Sequence, residues 1–202
     1  MSLPAVIQPL PVTIDDPAET MKQLSWPEWL QRSARSLSLV SRVVTEDEVY
    51  RAVKLVPVIP QSKALTPEQR REIEHKVALG HAALVHEDID RTLLRVYELR
   101  IQLGASILSE EGEKIKAQGY IIALKGVPTF AVIEACTRWL RGNAPWIHDG
   151  KEPRKPNYSF PPQPPELCHC AMSIVAVVGA QTARLERLLK AEVVPDEQIR
   201  AA

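Results

Sequence analysis

Residues 66–142 read TPEQRREIEHKVALGHAALVHEDIDRTLLRVYELRIQLGASILSEEGEKIKAQGYIIALKGVPTFAVIEACTRWLRG, and the starts and stops within this stretch decide the fold class. Thr66-Pro67-Glu68-Gln69 places a capping hydroxyl, a proline at the first helical position and a glutamine at the third, the signature of a helix N-terminus. Ile73, Val77 and Leu84 follow at helical spacing, with Arg70, Arg71, Glu72, Glu74 and Lys76 on the opposite face. A second helix is predicted from about Glu87 to Leu103. Glu87 and Asp88 suit its first turn, Ile89, Leu93, Val96, Tyr97 and Leu103 form its stripe, and Gly104 stops it. Ser109-Glu110-Glu111 opens a third helix reaching Lys125, with Gly126 as its stop. Its small residues Gly112, Ala117, Gly119 and Ala123 invite close approach of a neighbouring helix. Pro128 opens a fourth, with Val132, Ala135, Cys136, Trp139 and Leu140 on one face and Gly142 after its end. The short connections predict antiparallel neighbours.

Beyond residue 142 comes a segment, 143–165, with prolines at 145, 153, 156, 161, 162, 164 and 165 and the aromatic residues Trp146, Tyr158 and Phe160. A loop this long inside a compact domain either wraps its own core or contacts something else. A final helix is predicted from Pro164 or Pro165 to about Glu192. Its first half, Ala171 to Ala180, is apolar nearly all round and is expected to be buried. Its second half, Gln181 to Lys190, is amphipathic and basic, suited to a coiled-coil contact or a partner groove.

Working back from Thr66, residues 57–63 read as a linker. From Arg35 to Val56 two patterns compete. Ser36 to Val44 alternates polar and apolar like a strand, whereas Thr45-Glu46-Asp47-Glu48 is a capping box opening Val49 to Val56 as a helix; the favoured reading is mostly helix. Residues 1–34 carry no sustained period and read as an extended arm. Within it Trp26-Pro27-Glu28-Trp29-Leu30 stands out, because Pro27 can occupy the first turn of a short helix and place bulky apolar groups nearby; the motif either anchors the arm to the protein's own core or docks a partner. The expectation is an all-α chain: arm 1–34, short helical segment and linker 35–63, antiparallel helical bundle 64–192 ending in a long helix, and tail 193–202.

Composition narrows the function. The 25 lysines and arginines equal the 25 aspartates and glutamates, leaving no surplus to neutralise a phosphate backbone, so direct nucleic-acid binding is not expected. The basic groups at Arg32, Arg35 and Arg42, at Arg138 and Arg141, and at Lys151, Arg154 and Lys155 read as solvated surface. The longest apolar run, Ile174 to Ala180, is far shorter than the ~20 residues of a membrane span. The proline-broken N-terminus lacks the charged start of a signal peptide. With three cysteines, Cys136, Cys168 and Cys170, a reducing, cytoplasmic setting is expected. Cys168-His169-Cys170 with Cys136 and His148 offers soft metal ligands. Successive helical positions point about 100° apart, however, and no C-x-x-C pair is present, so no metal site is expected. His81 reads as a surface or boundary histidine. No nucleophile elbow, G-x-x-x-x-G-K-[ST] or G-x-G-x-x-G occurs; no catalytic residue and no cofactor are expected, and the chain reads as a non-enzyme.

A set of residues carries a family resemblance: Tyr120-Ile121-Ile122-Ala123-Leu124-Lys125-Gly126-Val127-Pro128, then Ala131, Ala135, Trp139 and Arg141-Gly142, then Phe160-Pro161-Pro162 and Pro164-Pro165-Glu166-Leu167. This order of a helix, a proline-started helix ending near W-x-x-G, and an F-x-P-x-x-x-E-L segment resembles small phage and prophage replication-module proteins of the helicase-loader or replisome-organiser kind. The resemblance spans residues 66–192. It implies a protein that binds the hexameric replicative helicase of the host through helical segments, some members lacking ATPase motifs, and modulates its loading or assembly. The chain departs from the pattern in its long insert, Pro145 to Asn157, and in its apolar final helix. The other reading is a helical structural or inhibitory protein that self-associates or occludes a host defence or regulatory protein. Partner binding is expected at Trp26, Trp29 and Leu30 in the arm and at Trp146, Tyr158 and Phe160 in the loop, since large aromatic residues dominate interface energies. Trp139, on an apolar helix face, reads as core.

Overall fold

A computed structural model describes residues 14, 16–47, 50–105, 108–148 and 152–197. The five helices expected from the punctuation are present: α3 (Pro67–Val85), α4 (Ile89–Gln102), α5 (Glu110–Leu124), α6 (Thr129–Leu140) and α7 (Pro164–Leu189), preceded by α1 (Pro17–Leu24) and α2 (Glu28–Arg35). The Thr66 capping box and the Ser109 start act as read, while Asp88, read as a first-turn charge, stands one position earlier as a cap. Thr66 Oγ1 accepts from the Gln69 amide at 3.2 Å while Gln69 Oε1 accepts from the Thr66 amide at 3.0 Å. Asp88 and Ser109 cap α4 and α5. Between α5 and α6 the chain turns through 116° at Gly126, whose φ of 77° is open to a residue without Cβ.

The helices gather around α7, and only some consecutive ones pack together. α3, α5, α6 and α2 pack on α7, α4 packs on α6 and α5, and α1 lies on α6 and α3; the sequence neighbours α3 and α4 are not among the substantial contacts, nor are α5 and α6. Short loops fix which helices follow one another, but burial of the most apolar helix decides what packs on what. On α7 the buried positions are Leu167, Cys170, Ala171, Ile174, Val178, Thr182, Leu185 and Leu188, a stripe with helical spacing. The opposite side is not buried: Met172 and Val177 are about half exposed, which corrects the expectation of an all-round buried first half. By length and composition alone α7 passes as a membrane span, yet its stripe is the centre of the protein core. The second half is not free for a coiled coil either, since Leu185 and Leu188 join Leu30, Ile59 and Ile73 in a second apolar cluster.

Close helix approach falls at α3 and α7, not along the small residues of α5. A Cβ on Gly80 would collide with Thr182 Oγ1, whereas one on Gly119 would only touch Pro164. The main cluster lies on the other side of this contact and joins α1, α3, α4, α5, α6 and α7 around Phe130, Trp139, Leu167 and Ile174.

The all-α expectation is corrected at residues 38–60. β1 (Ser38–Asp47) and β2 (Tyr50–Pro60) form an antiparallel ribbon, and β3 (Glu192–Val194) pairs in parallel with Val58–Pro60. The protein is mostly helical with one three-stranded sheet. The period-two pattern of Ser36 to Val44 prevailed because a helix from Val49 to Val56 would be only eight residues long, too short to stand without packing, and rich in β-branched residues that suit a pleated surface. Thr45-Glu46-Asp47 lies at the ribbon's far end with an irregular register, and Glu48, the last residue of that box, falls outside the described residues. The presumed linker, 57–63, is thus partly strand, and the presumed tail supplies β3, with the Ser62 amide donating to Asp196 at 3.0 Å.

The extended arm is corrected from Pro17 onward. Pro17 starts α1 and Pro27 caps α2: prolines that look like breakers in a periodic scan sit where a helix begins and no N–H is needed. Lys76 Nζ on α3 donates to the Gln23 and Ser25 carbonyls at 2.8 and 2.9 Å, tying the end of α1 to the body. The remainder of the arm, residues 1–13, lies outside the described residues.

Two glycine replacements separate packing from propensity. Gly80→Ala gains helix propensity but meets the short, stiff Thr182 side chain, so it should destabilise by about 1–2 kcal/mol. Gly179→Ala, with nothing within 4 Å of the added Cβ, should stabilise by about 0.5–1 kcal/mol. Urea unfolding of the two variants checks the opposite signs; a stabilised Gly80→Ala would contradict the close contact.

Candidate docking surface on the proline-rich loop

The six residues expected to bind a partner divide sharply. Leu30 is fully buried and Trp26 and Trp29 pack half-buried against the second cluster. Tyr158 lies edge-on to Trp139, ring centroids 5.6 Å apart, and donates to the Ala144 carbonyl at 3.0 Å. These four are held by the protein's own core. Trp146 and Phe160 differ, being 50% and 64% exposed.

The described residues of the loop that carries them are anchored on both sides of the rings. Ile147 and Arg154 exchange two backbone hydrogen bonds, 2.9 and 3.2 Å, clasping the segment on either side of residues 149–151, which are outside the described set. Trp139, buried as expected, donates its indole N–H to the Phe160 carbonyl at 3.0 Å, and Tyr120 donates to the Pro162 carbonyl at 2.6 Å. Burial pushes the Tyr120 hydroxyl up to about 12, keeping it a donor. Arg154 reaches Glu166 in the first turn of α7 at 2.7 Å, and His169 is 3.1 Å from the Trp146 carbonyl. Hydrogen bonds therefore flank both exposed rings through backbone atoms, leaving the side chains in solvent. Lys155 Nζ stands 5.7 Å from the Trp146 ring centroid, a favourable cation–π position.

Phe160 borders a groove of about 700 Å³ between the loop, α5 and the end of α4, lined also by Leu108, Ile115, Gly119, Tyr120 and Arg100. Leu108 and Ile115 were not singled out from sequence. A signal existed: Ile115, Ile121 and Ile122 fall off the stripe that buries Tyr120 and Leu124 on α5, and all three are exposed. One wall of the groove is fixed by an ion pair. Arg100, 4% exposed, makes two bonds to the Glu113 carboxylate, 2.6 and 3.1 Å, and the Leu108 amide adds a third at 3.2 Å. The Arg100 guanidinium, helped by the Leu108 N–H, holds the Glu113 carboxyl down at about 2. Arg100 also stands over the Tyr97 ring, 5.4 Å from its centroid.

The thiols are not poised as nucleophiles. Burial pushes Cys136 up to about 12 and Cys170 to about 11, and raises Cys168 as well; a thiol so raised is protonated at neutral pH. The three cysteines are free. His148 and His169 have ring centroids 6.0 Å apart, but among the described residues no group of three or more His, Cys, Asp or Glu side chains is placed to hold a metal ion. His81 lies 2.7 Å from Glu186 on the surface of the α3–α7 pair. The arrangement offers apolar and aromatic contact area, not a nucleophile–base pair. No protein-family model, curated protein or solved structure compared with this chain matches it.

The Glu113 carboxyl ionises far below its value of about 4.5 in an unfolded chain, so the Arg100 pair contributes stability that is complete above pH 4.5 and is lost as pH falls through 2. Glu113→Gln should therefore be much less stable than the parent protein at pH 6, and the gap should close as pH approaches 2. Urea unfolding at pH 6, 4 and 2.5 reads this; an equal gap at all three would contradict an ionic origin.

Proposed function

We propose that this chain is a non-catalytic accessory protein that works by docking on another protein through Trp146 and Phe160. The observation that carries the reading is a loop whose backbone is tied at both aromatic residues while the rings themselves stay in water. Large rings on a fixed backbone bury apolar area on binding without ordering a loop, which removes one of the main costs of association. Indole and phenyl groups of this kind dominate alanine scans of interfaces.

The partner we propose is the replicative helicase or another component of the replication machinery, met by a phage or prophage protein that modulates its loading or assembly. This rests on the resemblance of residues 66–192 to loader and organiser proteins. Its W-x-x-G and F-x-P-x-x-x-E-L elements contribute Trp139 and Phe160, a core residue that holds the loop and an exposed ring upon it. The net charge of zero favours a protein over a nucleic-acid partner, and three unpaired thiols suit a reducing cytoplasm.

Titration calorimetry of the full chain against the helicase hexamer, with Trp146→Ala, Phe160→Ala and the double variant, tests the proposal. Each single variant should weaken binding about thirtyfold or more, equivalent to about 2 kcal/mol, with circular dichroism and melting temperature unchanged. Trp29→Ala should instead lower the melting temperature. An unaltered affinity in the double variant would remove the docking surface; no heat with the parent chain would remove the helicase as partner.

A further inference from the structure

The groove beside Phe160 does not end at the loop. Gln163, the residue before α7, lines it and also lines a second hollow of about 390 Å³ that holds Ile147, His148, Arg154, Glu166 and His169. The two hollows meet at this one side chain and form a track, with Leu108, Ile115 and Phe160 at one end and the neighbours of Trp146 at the other. Aliphatic groups, prolines and rings supply most of the wall at the Phe160 end.

The charges along this track are not balanced. Two carboxylates stand at it, and an arginine holds each: Glu113 is bonded to Arg100 at 2.6 and 3.1 Å, and Glu166 to Arg154 at 2.7 Å, its other oxygen accepting from the Gln163 amide at 2.9 Å. Two lysines are left over. Lys116 lines the groove and Lys155 stands over the Trp146 ring, and neither makes an ion pair among the described residues. Glu111 and Glu152, the remaining described acids nearest to them in sequence, line neither hollow. Asp149 and Lys151, of opposite charge, fall outside the described residues.

We infer that the occupant of this track is an acidic amphipathic segment of the partner protein, with aliphatic side chains in the groove at Phe160 and carboxylates meeting Lys116 and Lys155. The inference rests on the reading of the loop as a docking surface and adds the chemistry of what docks there. Exposed pairs of this kind contribute little affinity, but they select the partner and speed the encounter. A lysine-bearing segment would instead bring like charges to both ends of the track, where no carboxylate is left to neutralise them. Single-stranded nucleic acid also stacks on exposed rings, but it carries a phosphate at every nucleotide against two unpaired lysines, and an aliphatic groove gives its backbone no partner. A protein segment is the better match.

Fluorescence anisotropy of labelled probes titrated with the full chain is the test. The probes are an amphipathic peptide of leucine and glutamate, its counterpart with lysine for every glutamate, and oligothymidylate of matched length. The acidic peptide should bind at least about tenfold more tightly than the basic one. Lys116→Glu combined with Lys155→Glu should erase or reverse that preference with circular dichroism unchanged, whereas Lys190→Glu, at the far end of α7, should leave it intact. Equal affinity for the two peptides, a preference that survives the double reversal, or thymidylate bound as tightly as the acidic peptide would overturn the inference; so would failure of every probe to bind. If the peptides bind equally but Trp146→Ala with Phe160→Ala abolishes binding, the aromatic docking surface stands and only its acidic partner is lost. If the lysine-dependent preference appears and that aromatic double variant leaves it unchanged, the charge assignment holds and the aromatic reading fails.

Discussion

The contact between α3 and α7 at Gly80 and Thr182 sets the spacing on which the remaining packing depends. A residue with no Cβ opposite a β-branched side chain lets two long helices approach closely, and the axis of α7 then lies at the centre of the protein. From that position one stripe serves two cores. Cys170, Ala171, Ile174 and Val178 face the main cluster with α5 and α6, while Leu185 and Leu188 face the second with α2, α3 and β2. The functional loop inherits its rigidity from this arrangement, because Glu166 and His169, which hold Arg154 and the Trp146 carbonyl, sit on the first turns of the same helix.

Trp139 is the second element of the design. Its ring fills the main core at 1% exposure, and its indole N–H, which would be left unsatisfied there, reaches the Phe160 carbonyl. A buried donor thus finds its partner in the loop, and the loop gains a fixed point beside an exposed ring. Tyr120 does the same at Pro162. Core satisfaction and display of the aromatic surface are achieved by the same hydrogen bonds, so stability and binding are linked through the backbone rather than through the displayed rings.

What the sequence made legible follows from how local each determinant is. The helices from Thr66 onward were readable because caps, first-turn prolines and terminal glycines act within four residues; Thr66 and Ser109 bond as their spacing implied, and Asp88, expected in the first turn, caps α4 instead. The ribbon was misread because the local capping box at Thr45 pointed to a helix and outweighed the period-two pattern of β1, although β1 and β2 are adjacent partners; only β3, which joins across more than 130 residues, lay beyond any local signal. α1 was missed, since Pro17 acts as a start only once a body exists for Leu24 to bury against, whereas α2 was visible as the short helix that Pro27 could open. At the loop, an aromatic pattern alone could not divide Trp26, Trp29, Leu30 and Tyr158 from Trp146 and Phe160. Burial is a tertiary property, and all six are large apolar groups beside prolines or turns.

The central claim is that the proline-rich loop is a fixed platform, not a loose connection that orders on contact. Native-state amide exchange of the free protein, followed by NMR at Ile147 and Arg154, tests it most directly, because each of these amides donates to the other residue's carbonyl across the clasp. The account predicts slow exchange at both, within about tenfold of the amides of α6, since opening the clasp would require breaking the Trp139 and Glu166 contacts as well. Exchange at the rate of an unstructured chain at these two amides, with α6 still protected, would contradict it.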